Sequence, residues 1–154
     1  MKIEYLCDNT HFIATVADWI YGEFIRDIRR GITYENILSA IGACSKDALP
    51  VRLVAVCGGR CAGTVSIVQN DLECRDYAPW VAALYVDVSF RNQKIGEKLL
   101  DRAKGIAAEM GYDEIFLRTE HAGNYYRRLG WRYVESCEDE FGLIPEVFKH
   151  FTNR

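Results

Sequence analysis

Two runs rich in β-branched residues, VRLVAVC at 51–57 and CAGTVSIVQ at 61–69, are joined across a connection carrying Gly58 and Gly59. Glycine supplies the positive φ that a tight hairpin demands, so the two runs read as neighbouring antiparallel strands. The other elements arrange around that hairpin. Before it, KIEYLC (2–7) reads as a strand. HFIATVADWIYGEF (11–24) has Phe12, Val16, Trp19, Ile20 and Phe24 at helical spacing, with Thr10 as its expected cap. TYENILSAIGAC (33–44) reads as a second helix opened by Thr33, with Asn36 and Ile37 behind it.

After the hairpin a polar loop, NDLECRDYAP (70–79), leads into WVAALYVDV (80–88), apolar on both faces as expected of a buried central strand. A helix follows over 93–110, with Ile95, Leu99, Ala103, Ile106, Ala107 and Met110 on one face and Gly111 as its stop. DEIFLRT (113–119) reads as a strand, AGNYYRRL (122–129) as a short helix ending at Gly130, and WRYVES and EVFKHF as two closing strands. No repeat or linker-like tract interrupts the order. The expectation is a single α+β domain over residues 1–154 with a mainly antiparallel sheet.

Composition narrows what such a domain does. The 154 residues are 49% hydrophobic and 27% charged, with a formal net charge of -3, which argues against a general nucleic-acid or membrane-surface binder. No apolar run approaches the roughly 18 residues of a membrane span, and MKIEYLCDNT lacks a signal-peptide core, so a cytoplasmic location is expected. The six cysteines form no C-x-x-C pair and only three histidines are present, so no metal site is expected. Cys57 and Cys61 flank the hairpin turn and could face each other across it; in a reducing compartment they read instead as small apolar fillers.

One local feature runs against the acidic balance. FRNQKIGEKLL (90–100) places Arg91, Lys94 and Lys98 at the start of a helix, where the macrodipole disfavours cations. Free amides at a helix N-terminus form an anion site, and added cations suit a phosphate. Alternatively both lysines are solvated and pair with Glu97 and Asp101.

The wider context decides between these. LYVDVSFRNQKIG, followed about thirty residues later by NYYRRLGW, resembles the GNAT-type N-acetyltransferase superfamily. Its loop signature R/Q-x-x-G-x-G/A corresponds to Arg91-Asn92-Gln93-Lys94-Ile95-Gly96, and its A-x-x-F-Y-x-x-x-G-F signature to Ala122 through Trp131. The resemblance implies a mainly antiparallel sheet of about seven strands, splayed at the centre and flanked by about four helices. It also implies acetyl-CoA as acetyl donor. Arg91, Lys94 and Lys98 would then surround the CoA phosphates, with Asn92, Ile95 and Glu97 in the same loop and turn and the amides from Gln93 to Gly96 as the cradle. Tyr85 and Val86 would meet the pantetheine arm through main-chain atoms.

Two positions depart from the family pattern: Lys94 replaces the first loop glycine, and Thr119 replaces an asparagine that many members carry. An ordinary helical φ is expected to accommodate Lys94.

For chemistry the resemblance places Tyr126 beside the thioester sulfur as donor to the departing thiolate. Spacing alone puts Ala122, Tyr126 and Leu129 on one helix face. An amine must attack in its neutral form, and Glu120 and His121 are the candidate bases, with Glu73 and Asp76 behind them. Trp19, Tyr21, Phe24 and Tyr34, with Glu138-Asp139-Glu140 and Asp71, Glu73 and Asp76, suggest an aromatic and acidic side suited to a cationic amine, whether small molecule or peptide. The expected function is acetyl transfer to a primary amine by direct attack in a ternary complex, by a monomer or homodimer that takes no nucleic acid and no membrane. The alternative is a CoA-binding regulatory module of the same fold without turnover.

Overall fold

A computed structural model describes residues 1–153. Seven strands form one sheet in the order β1-β2-β3-β4-β5-β7-β6: β1 Lys2–Tyr5, β2 Val51–Cys57, β3 Arg60–Val68, β4 Trp80–Val86, β5 Glu114–Thr119, β6 Arg132–Ser136 and β7 Glu146–Phe151. Four α-helices accompany them: α1 Ile13–Ile20, α2 Tyr34–Gly42, α3 Ile95–Glu109 and α4 Gly123–Arg128. β1 with β2, β5 with β7 and β6 with β7 pair antiparallel, the two-residue turn makes β2 and β3 an antiparallel hairpin, and β4 meets β5 in parallel, registered at Trp80↔Phe116. The mainly antiparallel α+β architecture expected from the hairpin and the resemblance is thus present. Among the described residues, no helix is long and apolar enough to cross a membrane, and no cluster of His, Cys, Asp and Glu could hold a metal ion.

The chain divides into two compact units, residues 1–66 with 83–100, and residues 67–82 with 101 onward. The first is cored by Leu6, Phe12, Val16, Ile20, Ile25, Ile41 and Val54, drawn from β2, the first two helices and the turns that follow β1 and flank α1. Gly58 and Gly59, with φ of 54° and 77°, make the expected two-residue turn. Arg60, not Cys61, therefore sits opposite Cys57. Thr33 caps α2 as its sequence suggests: its hydroxyl accepts from the Asn36 amide at 3.1 Å, and the Asn36 side chain accepts from the Thr33 amide at 3.0 Å.

Other local expectations need correction. β1 stops at Tyr5, where the chain tightens into a 3-10 turn that buries Leu6 completely. The expected helix over 11–24 is wound three ways: a 3-10 turn at Thr10–Phe12, α1, then a π-helical turn at Tyr21–Ile25 closed by Arg26 N to Tyr21 O at 2.8 Å. Thr10 lies inside the first turn and makes no side-chain cap. β4 is buried only at Trp80 and Val81, and Ala83 has a φ of 54°, so the strand departs from regular extension at its middle.

The second unit has Leu72, Trp80 and Val147 at its centre, with Tyr77 and Phe116 packed against them. β7 pairs with β5 from Glu114↔Phe151 to Thr119↔Glu146, and β6 pairs with the other edge of β7 through a register shift between Tyr133 and Glu135.

Candidate active site

In the first unit, the end of β4 and the start of α3 build a loop with an unusual backbone. Arg91 is extended, with φ -70° and ψ 162°. Asn92 and Lys94 both sit in the left-handed region, at φ 64° and 61°. Asparagine visits that region readily, whereas lysine does so at a cost. Lys94 therefore keeps the backbone shape that glycine would give, and the ordinary helical φ expected for it is incorrect. Helix α3 begins two residues later than expected because of this path.

The first i to i-4 bond here runs from the Lys98 amide to the Lys94 carbonyl at 3.2 Å, so the amides of Ile95, Gly96 and Glu97 lie in the first turn without helical acceptors. Arg91, Gln93, Lys94 and Lys98 are exposed around them, while Ile95 is buried as the anchor of the turn. Neither Lys94 nor Lys98 has a carboxylate partner among the described residues. Asp101, their expected partner, pairs with Lys104 at 3.1 Å.

Arg91 is held in place. Its Nε donates to the Val86 carbonyl at 3.0 Å, and its guanidinium lies 5.5 Å from the centre of the Tyr85 ring. Trp19 meets the same ring at 5.2 Å. Trp19, Tyr85 and Arg91, which sequence reasoning assigned to different tasks, are thus neighbours.

The strand edge is also defined. The Asp87 amide donates to the Ala62 carbonyl of β3 at 2.9 Å, and a Cβ on Gly63 would lie 2.9 Å from the Tyr85 carbonyl oxygen. Tyr85 therefore faces β3 with its carbonyl. Alternation leaves the main-chain groups of Val86 on the opposite edge. Elsewhere on this unit, Tyr21 and Tyr34 meet edge to face at 5.8 Å. The neighbouring Asp18 carboxylate pushes the pKa of the Tyr34 hydroxyl up.

In the second unit, Tyr126 stands on α4. Its ring meets Trp131 at 6.1 Å, Phe148 at 6.4 Å and Tyr125 at 5.2 Å, as the spacing of the short helix predicts for an apolar-facing residue. Among the described residues its hydroxyl has no hydrogen-bond partner. Burial, with a smaller contribution from Tyr125, pushes its pKa well above the ordinary tyrosine value. Thr119 Oγ1 accepts from the Ala122 amide at 2.9 Å, so the threonine that departs from the family pattern still tethers the entry to α4.

The candidate bases differ in their surroundings. Glu120 accepts from Arg118 Nη2 at 2.9 Å, whereas His121 is exposed. Arg118 is itself buried and bound to Asp139, whose side chain is wholly buried and also accepts from the amides of Phe141 and Leu143 at 2.9 and 2.8 Å. Asp139 thus braces the loop between β6 and β7, rather than offering charge to an amine. Against its burial, Arg118 and the two amides hold its carboxyl below the usual range. Glu138 and Glu140 beside it, and Glu73 and Asp76, are exposed.

Sequence reasoning also passed over a second ion pair. Arg75 grips Glu135 with Nε and Nη2 at 3.0 and 2.8 Å, while the Tyr77 hydroxyl donates to the same carboxylate. No local signal marks that pair, because its partners lie on separate strands and loops.

The end of a strand, a left-handed loop and a helix N-terminus with exposed cations thus lie together in the first unit, an arrangement whose amides and charges suit an anion. Residues 51–133, more than half of the chain, match the acetyltransferase (GNAT) domain family. The chain belongs to that family. A segment of 55 residues is 33% identical to an uncharacterized N-acetyltransferase of Chlorobaculum tepidum; the match covers 36% of this chain and 35% of that protein, so about a third of the relative's length is spanned.

Among solved structures, an aminoglycoside 6'-N-acetyltransferase complexed with coenzyme A superposes with a TM-score of 0.75 at 14% identity, covering 98% of this chain and 97% of the other. The aminoglycoside 6'-N-acetyltransferase from Enterococcus faecium gives 0.72 at 15% identity, with 98% and 97% covered. An acetyltransferase of the GNAT family from Staphylococcus aureus gives 0.71 at 18%, with 97% and 99% covered. At these identities the likeness is one of fold.

Proposed function

We propose that the protein is a single-domain acetyl-CoA-dependent N-acetyltransferase that passes an acetyl group directly to a primary amine. The observation that carries this reading is the loop 91–96. It keeps a glycine-like backbone at Lys94, presents the first-turn amides of α3, and adds Arg91, Lys94 and Lys98 as cations without carboxylate partners. Such a cradle suits the pyrophosphate and 3'-phosphate of CoA. Asn92 and Gln93 complete the loop, Glu97 lies in the first turn, and Val86 offers its main chain at the strand edge for the pantetheine arm, next to the Tyr85 ring.

Bound acetyl-CoA supplies an activated thioester whose carbonyl carbon a neutral amine attacks. Tyr126 donates a hydrogen bond to the sulfur as it leaves. Because burial pushes the Tyr126 hydroxyl above a thiol near 8.5, giving up its proton outright is uphill, and the role that fits is stabilisation of the thiolate by hydrogen bonding. The proton of the attacking amine passes to His121, Glu120 or a water chain. Trp19, Tyr21, Phe24 and Tyr34, together with exposed Glu138, Glu140, Glu73 and Asp76, favour a cationic acceptor. Aminoglycosides, the substrates named for two of the structural relatives, are one class to try.

A second reading has one observation behind it: Glu120 is engaged by Arg118, which suits a CoA-binding regulatory module that does not turn over. A screen of peptides, polyamines and aminoglycosides for release of free CoA thiol separates the two. Acetylation of any amine, reduced in kcat by about 10² or more by Tyr126→Phe with acetyl-CoA affinity kept, supports the enzyme. Saturable acetyl-CoA binding with no acetylation in the whole set supports the module.

A further inference from the structure

Cys7, in the 3-10 turn after β1, and Cys44, just past the end of α2, bring their sulfurs to 2.6 Å. Non-bonded heavy atoms rest at about 3.5–4.0 Å, and a disulfide bond is about 2.05 Å long. Closing the bond therefore asks for a shift of about half an ångström. Both residues are half-buried.

The surrounding joint is built from further contacts. Lys46 Nζ pairs with the Asp8 carboxylate at 2.7 Å and lies 5.5 Å from the Tyr5 ring centre, so the segments carrying the two cysteines are held together independently of the sulfurs. The Ser45 amide donates to the Pro50 carbonyl at 3.1 Å, and the Asn9 side chain donates to the Tyr5 carbonyl at 3.0 Å.

A second observation points to the same place. Arg52, at 9% exposure, donates from Nη1 to Ser66 Oγ at 2.7 Å, its Nε has no hydrogen-bond partner, and among the described residues no carboxylate offsets its charge. Its positive charge favours the Cys44 thiolate. Burial and the neighbouring Cys7 outweigh it and push the Cys44 thiol up to about 11, which makes Cys44 a poor first nucleophile.

We propose that Cys7 and Cys44 form a redox pair that closes to an intramolecular disulfide by exchange with a low-molecular-weight disulfide of the oxidised glutathione type. The Cys7 thiolate attacks one sulfur of the reagent, forming a mixed disulfide and releasing the first small thiolate. Cys44 passes its proton to the first small thiolate released, then attacks the Cys7 sulfur and expels the second. Two electrons pass from the protein pair to the reagent, and the two thiol protons end on the two small thiols released. The closed bond links residues 37 apart in sequence and spans α1 and α2. This inference stands whether or not the acetyl-transfer reading holds.

The test is equilibration of the whole protein over a series of glutathione ratios from reducing to oxidising, followed by acid quench, denaturation, alkylation and peptide mapping. A Cys7–Cys44 linked peptide should replace the two alkylated ones as the ratio becomes oxidising. The thermal midpoint should rise by about 10 °C, fall back on reduction, and stay unmoved in Cys7→Ser and in Cys44→Ser. Recovery of Cys7 and Cys44 as alkylated or singly glutathionylated peptides at the most oxidising ratio overturns the proposal. A map in which the bond joins other cysteines, such as Cys74 to Cys137, overturns it equally.

Discussion

Replacing Lys94 with glycine separates two contributions that one side chain makes. In the folded chain Lys94 holds a φ of 61°, and an L-residue in the left-handed region costs roughly 1–2 kcal/mol. Glycine removes that cost but loses about 0.5–1 kcal/mol to its greater freedom when unfolded. The net gain is about 0.5–1 kcal/mol, or about 2–3 °C in the thermal midpoint for a chain of this size. The sign is opposite to the loss expected if Lys94 were ordinary helix. Lys94→Met is the control, since it removes the charge and keeps the φ. Scanning calorimetry of both variants without ligand should place Lys94→Gly above Lys94→Met, with Lys94→Met close to the parent. Should Lys94→Gly melt at or below Lys94→Met, the left-handed assignment and the argument built on it fail. Binding makes a separate statement. If Lys94 meets a CoA phosphate, both variants lose about 1 kcal/mol of acetyl-CoA affinity, near fivefold, at low salt. The difference from the parent should shrink as the screening length falls from about 10 Å at 0.1 M to about 3 Å at 1 M.

Three further outcomes can be checked on the purified protein. Gly63→Ala would set a Cβ 2.9 Å from the Tyr85 carbonyl oxygen and 3.2 Å from Leu99 Cδ1; since the closer atom is backbone, a loss of about 2 kcal/mol and about 5 °C is expected, and a midpoint equal to the parent would show that β3 yields freely. Phenolate absorbance titrated against pH, parent minus Tyr126→Phe, should reveal a tyrosine ionising above about 10, and a midpoint at or below 10 would contradict its burial. Arg75 and Tyr77 hold the Glu135 carboxyl down at about 2, so its share of stability is complete above the ordinary value of about 4.3 and is lost as pH falls toward 2. Glu135→Gln should flatten the acid limb of a denaturation profile between about pH 5 and pH 2, and an unchanged limb would remove the pair from that account.

Where residue type and local geometry agree, the sequence was sufficient to read the structure. Thr33 with Asn36 marks a helix start by the chemistry of its own side chains, and Gly58-Gly59 marks a turn by its φ, so both elements appear where expected. Tyr126 shares an apolar helix face because three and four residues make about one turn, and its ring contacts follow. The rest depended on distant partners. Nothing in RNQKIG announces a left-handed lysine, since that conformation is set by the chain on both sides of it. Asn92 alone is of a type that tolerates it well. Asp139 reads as one of three acidic residues in a row, and only the buried Arg118 distinguishes it from its exposed neighbours. Cys7 and Cys44 carry no pairing signal in the sequence, and two turns far apart in the chain set their sulfurs side by side. The winding of α1 into a π-turn likewise escapes a periodicity argument, because the apolar spacing of 11–24 is compatible with an unbroken helix.

The sheet order β5-β7-β6 has a consequence for the sequence of events in which this half of the molecule is made. β6 leaves the ribosome before β7, yet in the sheet its partner is β7, and β5 is joined to β6 only through that later strand. Until Glu146–Phe151 has emerged, the edge of β5 that will receive β7 is a row of open amides and carbonyls, and Arg132–Ser136 has nothing to pair with. A nascent chain halted between β6 and β7 should therefore expose that edge to chaperones or to other nascent chains. A few more residues of synthesis close both ladders at once, so this region gains its order late and in a single step.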